Sequence, residues 1–170
     1  MPESLELQSP LWHFALALWQ DGETEQICLS LQGRGWSVTR LLCALWLARH
    51  GVRPCPEPES VTKWREQVTG TLRALRQGLP RESTAVGSLR KTLAEAELKA
   101  EQVELALAFP ALSAHIQQSG KLNKDTELIR AHLHGSAPDS MTLDRETDAL
   151  MNALIQRVRR NTDQFGEISS

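Results

Sequence analysis

Residues 35–51 of this 170-residue chain, Gly-Trp-Ser-Val-Thr-Arg-Leu-Leu-Cys-Ala-Leu-Trp-Leu-Ala-Arg-His-Gly, are its most apolar and best punctuated stretch. Ser37 can cap a helix by accepting from an orphan first-turn amide, and Gly51 can take the left-handed conformation that ends one. The spacing therefore predicts a helix over 38–50. Val38, Leu41, Leu42, Leu45 and Ala48 form one stripe, and Ala44, Trp46 and Leu47 carry apolar character round its sides. Only Thr39, Arg40, Cys43 and Arg49 leave a narrow polar strip. A helix of this kind has to be covered on most sides. The expected fold is an all-α, single-domain bundle of six to eight helices with a near-fully buried central helix. Composition agrees: no Tyr, five Trp and few β-branched residues favour helices over sheets. A chain of this length can bury roughly 70% of its unfolded surface without staples.

Cys28, Cys43 and Cys55 are an odd number with no CxxC pair, and Cys28 and Cys43 lie in apolar helical patterns, so they read as structural thiols. The first ten residues, MPESLELQSP, carry acids where a targeting segment needs bases, and no apolar run approaches the ~18 residues of a membrane span. The expectation is a cytoplasmic protein with no membrane association. Net charge is −2, unevenly spread: residues 1–29 carry −5, residues 30–91 carry +7 and residues 92–170 carry −4. A basic middle between acidic flanks can attract a polyanion or be neutralised within its own fold.

After an arm over residues 1–8, Ser9-Pro10 starts a helix reaching about Gln20, with Leu11, Phe14, Ala15 and Leu18 inward. Asp21-Gly22 breaks it, and Glu23–Leu31 forms a short acidic-headed helix. Pro54, Pro56 and Pro58 make residues 52–60 an extended connector, with Ser60 the expected cap of a helix over 61–77. In that helix Val61, Trp64, Val68, Leu72 and Leu75 form an apolar stripe, and Arg65, Thr69, Arg73 and Arg76 a second line. From Ser83 to about Leu107, Val86, Leu89, Leu93, Ala96, Ala100, Val103 and Leu107 step by 3,4,3,4,3,4, a heptad seam. Glu97, Glu101 and Glu104 give this helix an acidic edge complementary to the arginine line. The short link at 78–82 predicts that the two helices are antiparallel neighbours. Phe109-Pro110 is expected to end the heptad helix. Short helices follow over 111–118 and 123–134, with Leu122, Ile129 and Leu133 inward. After a 135–140 linker, a last helix over 143–161 packs Leu143, Thr147, Leu150, Met151, Leu154 and Val158. The expected organisation is an arm at 1–8, a helical domain at 9–161 (core 9–107, C-terminal helices 111–161) and a flexible tail at 162–170.

Leu11-Trp12-His13-Phe14-Ala15-Leu16, Ile27-Cys28-Leu29-Ser30-Leu31-Gln32 and residues 41–51 together resemble a family of small uncharacterised proteobacterial proteins, a domain of unknown function. Trp64-Arg65, Leu72-Arg73-Ala74-Leu75-Arg76 and Glu97-Leu98 also follow that family's spacing. The resemblance covers roughly residues 9–105 and implies one domain and no assigned activity. Where the family usually has Asp-Val-Asn before the central helix, this chain has Ser37-Val38-Thr39.

Chemistry-bearing constellations are sparse. His132 and His134 are two apart and diverge by about 200° on a helix, so they cannot share a metal there. Asp144 and Asp148 have the D-x-x-x-D spacing that can hold Mg²⁺ with a diphosphate, and equally the placement of acids that a helix dipole favours. No nucleophile has a signature placing it beside a base. Lys63, Trp64, Arg65, Arg73 and Arg76 are the best ligand-facing set, suited to a phosphate backbone or to pairing with Glu97, Glu101 and Glu104. The sequence thus favours a non-enzymatic interaction or adaptor domain without catalytic residues or cofactor, whose partner is a protein or a second copy bound through the 86–107 face. Nucleic-acid or phosphate binding through the basic middle is the alternative, and a Mg²⁺-diphosphate helical enzyme the more distant one.

Overall fold

The structure, a computed structural model, describes residues 4–139 and 144–166, with side chains described as far as residue 160. Among the described residues the regular elements are seven helices and no strand. They are α1 (Pro10–Trp19), α2 (Gly22–Gln32), α3 (Val38–Arg49), α4 (residues 59–78), α5 (Thr84–Gln118), α6 (Thr126–Gly135) and α7 (Arg145–Gly166). The chain is all-α, as its periodicity predicts. The helices gather into two compact units, one of Pro56–Ala111 with the segment ending at Trp12, the other of His13–Cys55 with the chain from Leu112.

The second unit is built round α3. Ser37 Oγ accepts from Arg40 N at 3.3 Å, and Gly51 has φ +65° just beyond the far end. Eight of its twelve residues are buried, and it packs against α2 and α6, with α7 against both of those. Thr39, expected on the polar strip, is buried, its hydroxyl 2.9 Å from Ser37 Oγ. Beyond α3 the chain is strapped by its carbonyls. Those of His50, Gly51, Val52 and Arg53 accept from Lys121 Nζ, Leu122 N, His132 Nε2 and His115 Nε2 at 3.2, 2.6, 2.8 and 2.8 Å. A Cβ on Gly51 would meet the Leu122 carbonyl oxygen at 2.8 Å, so glycine is required for space as well as for φ. Leu122 itself, expected inward, is 38% exposed, because its backbone makes the contact. Ile129 and Leu133 are buried as expected. Burial pushes the Cys28 thiol up to about 12, the inert packing role expected of it.

Several boundaries differ from the sequence reading. Pro110 does not end α5, which runs unbroken to Gln118. Proline forfeits one hydrogen bond and costs about 3 kcal/mol, and burial of Leu105, Ala106, Ala108 and Leu112 around it offsets that cost. α4 begins at Glu59 with Pro58 in the cap position, so Ser60 lies inside the first turn. α7 continues to Gly166, where a frayed tail was expected from 162. Leu143 lies outside the described residues.

In the first unit α4 and α5 form an antiparallel hairpin, and α4 holds the feature that sets its chemistry. Residues Glu59–Trp64 are α-helical, Arg65–Thr69 form a π-helical turn, and Gly70–Gly78 resume the α-helix. The Gly70 amide closes the wide turn onto the Arg65 carbonyl, and a Cβ there would come within 3.0 Å of that oxygen. A π turn accommodates one extra residue, about 100° of rotation. Val61 is buried on the stripe read from the sequence, but Leu72 and Leu75 are turned off it, and Leu75 is 56% exposed. Thr69, Arg73 and Arg76 take the inward positions instead.

Candidate functional site

The ligand-facing residues read from the sequence converge on the seam of this hairpin, where acids of the same chain meet them. Arg65 Nε donates to Glu104 Oε1 at 2.7 Å, and its Nη1 and Nη2 grip the two oxygens of Glu57 at 2.7 and 2.5 Å. Arg73 Nε donates to Glu97 Oε1 and its Nη2 to Glu101 Oε1, each at 2.7 Å, while Arg76 Nε reaches Glu97 Oε2 at 2.6 Å. Trp64 Nε1 donates to the Ala100 carbonyl at 2.9 Å, and Arg90 Nη1 donates to the carbonyls of Arg76 and Leu79 near the hairpin tip. Lys63 stands apart in an exposed pair with Glu59. Arg65 therefore commits every guanidinium nitrogen to carboxylates of its own unit. Arg73 and Arg76 each commit their Nε to Glu97.

The seam is largely withdrawn from water, Glu104 and Glu97 being buried and the three arginines mostly so. Burial pushes Glu97 up, and the guanidiniums of Arg76 and Arg73 more than offset it, leaving the carboxyl below its usual range. Burial likewise opposes the charge of Arg65, and Glu57 and Glu104 more than restore it. Glu101 goes the other way. Burial raises it, Arg73 lowers it, Glu97 and Glu104 raise it again, and it settles at about 7.

Two features were hidden in the sequence. Glu57 sits in the proline-rich connector, where nothing marks it as a clamp for a guanidinium eight residues on. The heptad positions also do not all face α4. The hydrogen bonds place Arg90, Glu97, Ala100, Glu101 and Glu104 on the seam, so Leu89, Ala96 and Val103 fall on one flank of α5. Leu72 and Leu75 fall on the corresponding flank of α4. In an antiparallel pair of right-handed helices these flanks lie on the same side. The hairpin thus has a polar seam and an apolar face, with Leu75 and Leu89 exposed and Leu72, Leu93, Ala96 and Val103 half-buried. Leu98, 54% exposed, stands alone on the opposite flank.

Asp144 and Asp148 are spoken for separately. Asp144 caps α7, Oδ1 accepting from Thr147 N at 2.7 Å and Oδ2 pairing with Arg34 at 3.0 Å. The Thr147 amide and hydroxyl, then Arg34, hold its carboxyl below the usual range. Asp148 accepts from Asn152 Nδ2 at 3.2 Å and lies 3.7 Å from Arg130 Nη1. Among the described residues no group of three His, Cys, Asp or Glu is placed to hold a metal ion, and no helix is long and apolar enough to cross a membrane.

No curated protein and no solved structure matches the chain. One family does, over residues 10–107, a span that takes in α1 to α4 and the acidic edge of α5. On that match, covering more than half of the sequence, the chain belongs to the family described as "Protein of unknown function (DUF2390)".

Proposed function

We propose that this protein is a non-enzymatic interaction module that associates with a second copy of itself through the apolar face of the α4–α5 hairpin. The observation that carries the reading is the exposure of Leu75 and Leu89, at 56% and 50%, on one side of a hairpin whose inner positions are filled by ion pairs. Leucines in this density on a solvent-facing flank are costly unless something covers them. The six residues that make up this face, Leu72, Leu75, Leu89, Leu93, Ala96 and Val103, are all apolar. A twofold axis brings like residues close together, so an apolar face suits self-pairing, and two hairpins so joined make a four-helix layer. With Arg65 wholly engaged by Glu57 and Glu104, the arginine line offers a phosphate backbone little grip.

Sedimentation of the wild type at up to about 1 mM is the test, because a dimer held by only ~4 kcal/mol is half-formed at that concentration. The expected result is a dimer that Leu89→Glu converts to a monomer of unchanged helicity. A wild type that stays monomeric throughout, or a dimer indifferent to Leu89→Glu and Leu75→Glu, overturns the reading.

A further inference from the structure

In the ion-paired part of the hairpin seam Glu57, Glu97, Glu101 and Glu104 meet Arg65, Arg73 and Arg76, while the fourth guanidinium, that of Arg90, is turned to the carbonyls of Arg76 and Leu79. The guanidiniums are not shared evenly. Glu97 has two arginine partners, Arg73 through Nε and Arg76 through Nε. Glu57 and Glu104 hold Arg65 between them. Glu101 meets Arg73 only through Nη2, the guanidinium already being bound to Glu97, and it sits one turn from both Glu97 and Glu104 on its own helix. From α4 it faces Arg73, with Arg65 and Arg76 to either side. From α5 it faces the two other glutamates, and the connector brings Glu57, which pairs with Arg65. Closing the hairpin therefore leaves one carboxylate under-compensated while removing most of its water.

We propose that the α4–α5 hairpin is a proton-operated latch, in which Glu101 takes a proton from solvent as the two helices close and releases it as they part. The neutral carboxyl relieves the repulsion along that edge of α5. The ionised one is an anion set between two others and met by a guanidinium it shares with Glu97. Burial, opposed by Arg73 and reinforced by Glu97 and Glu104, sets Glu101 at about 7, in line with this placement. For a carboxyl raised on folding, the native state binds the proton more tightly than the unfolded chain. Its contribution to stability is complete below the ordinary carboxyl range, declines as pH rises from there and is gone above about 7. The latch is thus closed in mild acid and loosened in mild alkali. It rests on the seam alone and stands whether or not the apolar face pairs with a second copy.

The test compares the intact protein with Glu101→Gln, which carries the neutral shape permanently. Stability is read by urea unfolding at pH 5.5 and 8.5, and hydrogen exchange is followed over residues 70–99 after correction for intrinsic rates. On raising the pH, the folding constant of the wild type should fall at least tenfold relative to the Gln variant, with the excess exchange confined to the hairpin. Taking the difference cancels the histidines elsewhere in the chain. Carbon-detected titration of the Glu101 carboxyl in the folded wild type supplies a readout independent of any substitution, with a midpoint near 7 expected. A midpoint in the ordinary range below 5, or superimposable pH profiles for the two proteins, overturns the latch.

Discussion

Arg65 is the residue whose loss the hairpin should feel most. Its side chain is 15% exposed and that of Glu104 is 1% exposed, the two joined at 2.7 Å. Removing one member of a buried ion pair costs about 3–5 kcal/mol, because the other charge is left poorly compensated in a medium that cannot solvate it. Glu57, at 22% exposure, can turn towards water, and its share is no more than about 1 kcal/mol. Arg65→Met, which keeps the aliphatic stem, should therefore destabilise by roughly 4 kcal/mol, a fall in melting temperature of about 8–16 °C for a chain of this size. Circular dichroism through thermal and urea unfolding reads both quantities. The same reasoning predicts partial recovery when the second charge is removed too. Arg65→Met with Glu104→Leu should regain at least half of the loss, since an apolar pair of similar volume often matches a buried ion pair. A single variant losing less than about 1 kcal/mol, or a double variant no better than the single, would refute the view that burial of this pair governs its energetics.

Other consequences are simpler to state. Ser37→Ala removes the cap of α3 and should cost about 1 kcal/mol in urea unfolding. Gly51→Ala should cost more, about 2 kcal/mol or above, because the left-handed backbone strain adds to the clash with the Leu122 carbonyl. Burial lowers His132, which bonds the Val52 carbonyl, so its contribution to stability is present above the ordinary histidine range and is lost as pH falls through its lowered value. The pH slope just below the ordinary histidine range should therefore flatten in His132→Gln, a dependence opposite in sign to that of Glu101. Calorimetric titration with Mg²⁺ and inorganic diphosphate should give no saturable heat, since Asp144 is occupied by Thr147 and Arg34 and Asp148 by Asn152 and Arg130.

The sequence makes the second unit easier to read than the first. α3 announces itself because its stripe, its cap and its terminal glycine all agree, and an apolar helix has few ways to be satisfied. Its carbonyl strap is invisible beforehand, since backbone acceptors carry no sequence signature and His115 and His132 lie over sixty residues away from their partners. The complementarity of the arginine line and the glutamate edge is legible, because both follow helical spacing and a short link joins them. Which leucines face outward is not, because the count of residues per turn changes at Arg65 and no residue type signals the change. Pro110 misleads for the opposite reason: a strong local preference yields to burial on either side of it.

The π turn at Arg65–Thr69 also bears on how relatives of this chain are to be compared. A homologue shorter by one residue in that turn would have a regular α-helix through the same region. Because the wide turn absorbs the one extra residue, its Leu72 and Leu75 equivalents would still face outward and its Arg73 and Arg76 equivalents would still line the seam. A relative of equal length with an unbroken α-helix there would instead turn by about 100° beyond it, burying its leucines and showing its arginines. The charged seam and the leucine face are inherited together or lost together, and the match of chain length to turn type at 65–69 is the place to look before a property of one relative is transferred to another.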